Sequence, residues 1–476
     1  MSRNRRAALA ALALFACLAC AFVAAPLADL AGFWSPRTYL ILAQNEDELR
    51  PTGGFISGLA VVTLSRGRVT DFRLGDSSSV DDLRQVYPSP PDPLLRYMGS
   101  QMWLLRDANW SPDFPASARQ AATLYELGQG GHVDGVVAFD EAALQSVLAV
   151  LGPVAVPGLP EPVSDANFLT QLRAAWSAAS GTADAAAWRT QRKDFMGPLA
   201  RALLARLKLV RDPGTVLALL AAARAALDQH RVLLYLPGSP LAGLLARAGW
   251  DGAVNPGTQD YLRVVDANVG FNKVNAAVEE SLTYHVDLTN PAQPAAILTV
   301  TYTNTVTTPR TCVHFGVANH STQYADYLQD CYWDYWRVLL PAGVGDVSAP
   351  PNAVPASELL SGQADFNPAQ ITAGVAGATE VAGLFVLPTG QGHATQLAYP
   401  LPASVLVRRS GSAVYRLSVQ KQPGTQALPL EVMVVFPAAW TLQSSSEPTA
   451  ASAPGQVSFS ASLRTDRQFE IVFLTR

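Results

Sequence analysis

The chain has 476 residues, 49% hydrophobic and only 15% charged, with a formal net charge of −4. That length and apolar content suit two or three domains with sizeable cores and exclude a largely disordered chain. The slightly acidic balance excludes a general electrostatic case for nucleic-acid binding, and Lys stands at only four positions, 193, 208, 273 and 421, in an otherwise Arg-based set of cations.

At the N-terminus, Arg3, Arg5 and Arg6 precede an uncharged apolar run from Ala7 to about Leu27. About 20 such residues cross a bilayer as a helix. The flanking cations predict a cytoplasmic tail with the bulk of the chain outside. Residues 1–36 are therefore read as a tail plus membrane anchor, with a cleaved signal segment as the alternative.

Residues 37–280 alternate strand and helix patterns, which predicts an α/β sandwich. Tyr39 to Ala43 reads as a buried strand that stops in the polar run Gln44-Asn45-Glu46-Asp47-Glu48-Leu49-Arg50-Pro51-Thr52-Gly53-Gly54. Strands follow at Gly58–Leu64 and Val69–Leu74, a helix at Pro115–Leu127 and a strand at Val133–Phe139. Asp140 caps a helix over Glu141–Leu151, and Val154–Val156 reads as another short strand. Residues 163–250 are mostly helical and rich in Ala and Leu. Val232–Leu236 and Tyr261–Ala267 read as strands returning to the sheet.

From residue 281 the pattern becomes a succession of short strands, the signature of a β-sandwich. They fall at 281–288, 296–303, 336–340, 380–387, 413–420, 429–436, 456–462 and 468–473. Residues 341–378, rich in Pro, Ala, Gly and Ser, read as a long connection or insertion. Cys312 and Cys331 lie in the exported part, where a disulfide between them is expected.

Five polar constellations stand out. Asn45, Glu46, Arg50, Gly53 and Gly54 form a charged glycine turn at a strand end, a setting that suits a ligand. Arg189 and Arg192, with Lys193, share one face of a helix start, where an anion would relieve their conflict with the helix dipole. Asn268, Asn272 and Lys273 follow a strand, and Asn109 precedes a helix. The acidic turn from Asp76 to Asp82 holds carboxylates of the kind that bind a divalent ion.

These motifs carry a resemblance. Leu42 to Ile56, Arg192-Lys-Asp-Phe195, Val265 to Lys273 and Val419-Gln-Lys-Gln-Pro-Gly424 resemble a bacterial family of unknown function, DUF4012, over nearly the whole chain after the anchor. The first domain is more distantly similar to the LytR-CpsA-Psr transferases of cell-wall glycopolymers. The similarity lies in Val133-Asp-Gly-Val-Val-Ala-Phe-Asp, Val150-Leu-Gly-Pro-Val-Ala-Val156 and Arg189-Thr-Gln-Arg192. It implies a membrane-anchored bacterial protein that binds a polyprenyl-phosphate lipid or envelope glycan outside the cell. Arg50, Arg189 and Arg192 would hold phosphate, with Lys273 a fourth cation. Asn45, Asn109, Asn268 and Asn272 would fix polar groups.

If the protein is a glycopolymer transferase, Arg50, Asp76 and Arg192 would be its catalytic residues. Glu46, Asp47 or Asp76 would hold magnesium or act as base. The chain departs from that family at Pro51-Thr52-Gly53, which stand where an aspartate is expected, and this favours binding over transfer. The alternative function is a non-catalytic envelope scaffold or adhesion module.

Overall fold

The computed structural model describes residues 25–177 and 196–475. The N-terminal apolar run to residue 24 lies outside them. Among the described residues, no helix is long and apolar enough to cross a membrane.

The first unit is built on strands β1 (Arg37–Arg50), β2 (Gly53–Ser65), β3 (Arg68–Asp76), β4 (Gly135–Phe139) and β5 (Val232–Tyr235), in the order β3-β2-β1-β4-β5. β1 to β3 form an antiparallel meander, β4 runs parallel to β1, and β5 returns antiparallel to β4. Arg66 and Gly67 both take positive φ between β2 and β3, the backbone that a tight hairpin needs to match strand twist. Helices α1 (Asp92–Met98), α2 (Phe114–Gln129), α3 (Glu141–Leu151), α4 (Phe168–Trp176), α5 (Met196–Leu209), α6 (Pro213–Asp228) and α7 (Ala242–Ala248) complete the unit. The Asp113 and Asp140 carboxylates cap α2 and α3 by accepting from Ala116 and Ala143 N–H at 3.0 and 2.8 Å, as their positions before each helix predict.

Strand alternation gives the sheet two different faces. Leu40, Leu42 and Val61 pack against Phe114, Ala118, Ala121 and Leu124 of α2. Ile41 and Ala43 point the other way, toward the layer formed by α4 and α5.

Three local expectations change. β1 does not stop at Ala43: it continues through Asn45–Arg50, with register breaks after Ala43 and Asn45. The polar side chains there find buried partners, so tertiary contacts override the turn-like pattern. Val154 makes a single bridge with Val163 rather than a strand. The strand expected at 261–267 forms, as β6 (Asp260–Val265), but it belongs to the second unit.

That unit holds β6, β7 (Val278–Asp287), β8 (Ala295–Asn304), β9 (Tyr332–Leu340), β10 (Gln370–Ala373), β11 (Thr379–Leu387) and β12 (Gly392–Pro400). It continues with β13 (Leu406–Arg409), β14 (Ser412–Val419), β15 (Leu428–Val435), β16 (Thr441–Ser445), β17 (Ala451–Ala453), β18 (Gln456–Leu463) and β19 (Arg467–Leu474). One sheet runs β10-β11-β9-β6-β14-β19-β16, with β13 beside β14, and the other runs β12-β8-β7-β15-β18-β17. Leu262, Trp336, Tyr415 and Phe469 of the first meet Tyr284, Leu298, Val432 and Phe459 of the second in one core, the arrangement of a β-sandwich. β6 lies between β9 and β14 with all six residues buried. The sandwich therefore begins near residue 260, not at 281. The stretch 341–378 is tied down: Ser348 bridges Ala398, Val354 bridges Asp365, and the Trp333 indole donates to Glu358 O at 2.7 Å.

Candidate functional site

The polar end of β1 is a buried seam between the two units. Arg50 is fully buried. Its guanidinium pairs with Glu48 at 3.0 Å and donates to the carbonyls of Asn268 at 2.5 Å and Leu49 at 3.3 Å. Asp107 lies 3.8 Å away. The Asn268 N–H donates to Leu49 O at 3.0 Å, and the Leu49 N–H to the Asn275 side chain at 3.1 Å. Gln422 closes the seam: its amide donates to Arg50 O at 3.1 Å and Asp266 O at 2.8 Å, and its oxygen accepts from Asp266 N–H at 2.8 Å.

The paired glycines serve the same packing. A Cβ on Gly54 would meet the Asn45 backbone at 1.9 Å, and Gly53 has φ of 134° with the Gln44 side chain 2.1 Å from where its Cβ would be. Asn109 donates to Gly54 O at 2.9 Å. Asn268 and Asn272 bond each other at 2.9 Å, and Asn272 donates to Cys331 O at 2.8 Å. These asparagines fix loops, as buried amides must find partners.

Beyond the seam, on the sheet face away from α2, lies a cavity of about 1190 Å³. Its floor consists of cross-strand rows. Leu74, Ala60 and Ile41 form one; Asp76, Gly58, Ala43 and Phe139 form the next. Small side chains at Ala43, Gly58 and Ala60 leave the space open. Phe168 and Leu172 of α4, and Leu199 and Leu203 of α5, form the far wall.

The remaining wall comes from the sandwich. Phe271 and Lys273 follow β6, and two short helices, α8 (Gly316–His320) and α9 (Tyr324–Tyr327), supply Ala318, Tyr324 and Tyr327. The loop carrying these helices is closed by the Cys312–Cys331 disulfide expected from the sequence.

Polar groups gather at one end of this largely apolar space. Lys273 Nζ lies 3.3 Å from Glu48 Oε2 and over the rings of Phe55 and Tyr324 at 5.9 and 5.6 Å. Asn45 donates to the Tyr324 hydroxyl at 2.9 Å, and that hydroxyl donates to Asp47 at 2.7 Å. Asp47 is also held by Arg173 at 2.9 Å. Arg106, half-buried, and Arg201, exposed, stand on the cavity wall. Arg106 pairs with Asp107 at 3.6 Å, whereas Arg201 has no ion-pair partner among the described residues.

Glu46 points out of the cavity and accepts from the Glu141 and Ala142 N–H groups at 2.9 and 3.2 Å, at the start of α3. Burial, then the charge of Asp140, pushes its carboxyl up to about 8. Glu141, on the cavity wall, is raised well above the usual range by burial and by Glu46. One of its oxygens is buried without a hydrogen-bond partner among the described residues. Asp107 is raised by burial.

The sequence-derived site is thus divided. Asn45 and Lys273 reach the cavity. Arg50, Gly53, Gly54, Asn109, Asn268 and Asn272 belong to the seam; Arg50, expected to hold phosphate, is turned away by its protein partners. Asp76 lines the cavity floor, and its carboxylate accepts from Ser78 N–H and Oγ at 2.8 and 2.7 Å. Arg189 and Arg192 lie outside the described residues.

Glu46 and Asp47 are engaged as above, and no group of three or more potential ligands occurs among the described residues. Arg106, Arg201 and Tyr324 were not picked out from the sequence. Arg106 adjoins the Asp107-Ala-Asn109 motif, but no local pattern marks the other two.

A family model described as "Protein of unknown function (DUF4012)" matches residues 35–175. That is the first part of the α/β unit, not nearly the whole chain as the motifs suggested. No curated protein matches. Similar solved structures include protein gbs0355 from Streptococcus agalactiae, at 13% identity over 46% of this chain and 74% of that one, with a TM-score of 0.31. The transcriptional regulator yvhJ from Bacillus subtilis gives 15%, 46%, 78% and 0.25. The Lin1025 protein from Listeria innocua gives 7%, 46%, 78% and 0.27.

Proposed function

We propose that the protein binds a long-chain lipid phosphate of the polyprenyl class, or a lipid-linked envelope glycan, in the cavity of its α/β unit. The supporting observation is a cavity of about 1190 Å³ with apolar walls, lined by Arg201, a cation with no ion-pair partner among the described residues. A phosphorylated lipid needs such a combination: apolar area removed from water for the chain and a guanidinium for the phosphate. Arg201 and Arg106 would face the phosphate, and Lys273 would meet the polar end.

The distant similarity to LytR-CpsA-Psr transferases supports the ligand class. Binding rather than glycopolymer transfer is proposed, because Arg50 and the carboxylates expected to act in transfer are engaged by the protein itself. The reading places the protein at the cell membrane, anchored by residues before 25, with its bulk outside.

Native mass spectrometry of detergent-extracted protein tests the proposal. Co-purified polyprenyl phosphate is expected in the wild type and is reduced in Arg201→Ala. Absence of any lipid from the wild type would favour the rival, a non-catalytic envelope scaffold or adhesion module. That rival draws on the number of polar motif residues that serve only the seam.

A further inference from the structure

Helices α5 and α6 form a hairpin on the outside of the α/β unit. Leu203 of α5 is buried, but Leu204, Leu207 and Leu209 are exposed, as are Val216, Leu217 and Leu220 of α6. From Pro213 to Ala223 α6 carries no charge, and Leu217 is 67% exposed. A helix apolar on all sides is normally buried; this one is covered on one side only, where it meets α3 and β5. Contiguous exposed apolar surface of this kind marks an interaction face.

Two observations identify the partner. The first is charge: residues 196–228 carry Arg201, Arg206, Lys208, Arg211 and Arg224 against Asp212 and Asp228, within a chain of net charge −4. The second is position. β1 and β4 run parallel, away from where the chain enters at Arg37. α3 starts on Glu46 at the far end of β1 and packs back over β1. Arg206 donates to Leu151 O at the end of α3, at 3.3 and 3.4 Å, and so directs the Leu209–Pro213 turn toward the entry end. Phe33 and Trp34 stand exposed there, just after the uncharged run of residues 7–24.

We infer that the α5–α6 hairpin docks on an anionic lipid surface, with Leu209, Val216, Leu217 and Leu220 in the interfacial layer and Lys208 and Arg211 at the headgroups. Leucines flanked by cations, with exposed aromatics nearby, are what the bilayer interface selects. The inference does not depend on what fills the cavity.

The full chain, with Cys17 and Cys20 changed to Ser, is reconstituted into vesicles of phosphatidylcholine and phosphatidylglycerol. A nitrobenzoxadiazole label is placed through Leu217→Cys, Leu220→Cys or, as a control on the sandwich, Val407→Cys. Vesicle flotation reports the N-terminal run, and the probe reports the hairpin. The labels at 217 and 220 are expected to emit at shorter wavelength than the control and to be quenched by brominated acyl chains. Omitting phosphatidylglycerol or raising salt should weaken both effects. Probes at 217 and 220 that stay as water-exposed as the one at 407 in floated protein would overturn the inference. So would shielding that persists without vesicles, which would mean that a second copy covers the face.

Discussion

Arg50 and Asn268 hold the two units together, one through its guanidinium and the other through the carbonyl that receives it at 2.5 Å. Asn268 returns a backbone bond to Leu49, so the contact is reciprocal. Arg50→Ala would leave Glu48 and Asp107 beside an unfilled buried space. Removing one partner of a buried ion pair costs about 3–5 kcal/mol, so the melting temperature should fall sharply. Lipid bound per folded molecule should stay unchanged. Arg50→Lys should not restore stability, because a compact ammonium lacks the planar fork that reaches Glu48 from one nitrogen and the Leu49 and Asn268 carbonyls from the other. Normal stability with lost lipid in Arg50→Ala would return Arg50 to the binding site.

Gly58→Leu separates the cavity from the fold. A Cβ at Gly58 meets nothing closer than Gly75 O at 3.5 Å, and the backbone there is ordinary. The new side chain would project into the space over Ala43. The expected result is a melting temperature near that of the wild type and markedly less co-purified lipid. Undiminished lipid would place the ligand elsewhere.

The Cys312–Cys331 bridge closes a loop whose ends are 19 residues apart. Loops of this length gain about 3 kcal/mol from a disulfide. Replacing both cysteines with Ala should lower stability by roughly that amount. It should also weaken ligand retention, since the loop carries Tyr324 and Tyr327. Unchanged retention would show that the loop wall needs no covalent closure.

Protonation adds a pH signature. Asp260 accepts from the Tyr284 and Tyr415 hydroxyls in the sandwich core, and burial raises its carboxyl from 3.8 to about 7. The folded chain therefore holds a proton that the unfolded chain has released. This contribution is fully present below about pH 4 and is lost as the pH rises through 7. Glu46, raised to about 8, acts in the same sense. Lys421, pushed by burial from 10.5 down to about 7, acts oppositely above pH 7. His230, His314 and His393, lowered from 6.5 by burial, act oppositely in the same window. Comparison with a variant therefore isolates Asp260: the melting temperature of Asp260→Asn relative to the wild type should rise between pH 5 and 7. A difference that stays constant across that range would contradict the burial of Asp260 as a carboxylic acid.

The sequence was readable where one face of an element decides its fate. Ile41 and Leu42 alternate across β1, the Asp140 cap of α3 is local, and the eight strands called after residue 281 all form. It was misleading where a residue's role depends on distant partners. Asn45 to Arg50 looked like a ligand turn because polar residues rarely continue a buried strand. Their partners, Asn268, Asn275, Tyr324 and Gln422, lie more than 200 positions away, and no periodicity announces them. β6 reads as a strand from its own six residues, but nothing in them says which sheet receives it. The cavity was invisible for a related reason. It arises from small side chains at 43, 58 and 60 facing one way, a pattern that any loosely alternating strand would show.

The cavity floor is made by residues 41–76 and Phe139, while Phe271, Lys273 and Tyr324 complete its wall. A chain emerging N-terminus first therefore exposes an apolar trough long before the segment that closes it has been made. Contacts so distant in sequence form late and leave intermediates prone to association. Biogenesis of this protein would then be governed by the wait for residues 271–327. A version cut before the sandwich would be a sticky half-container rather than an independent binding domain.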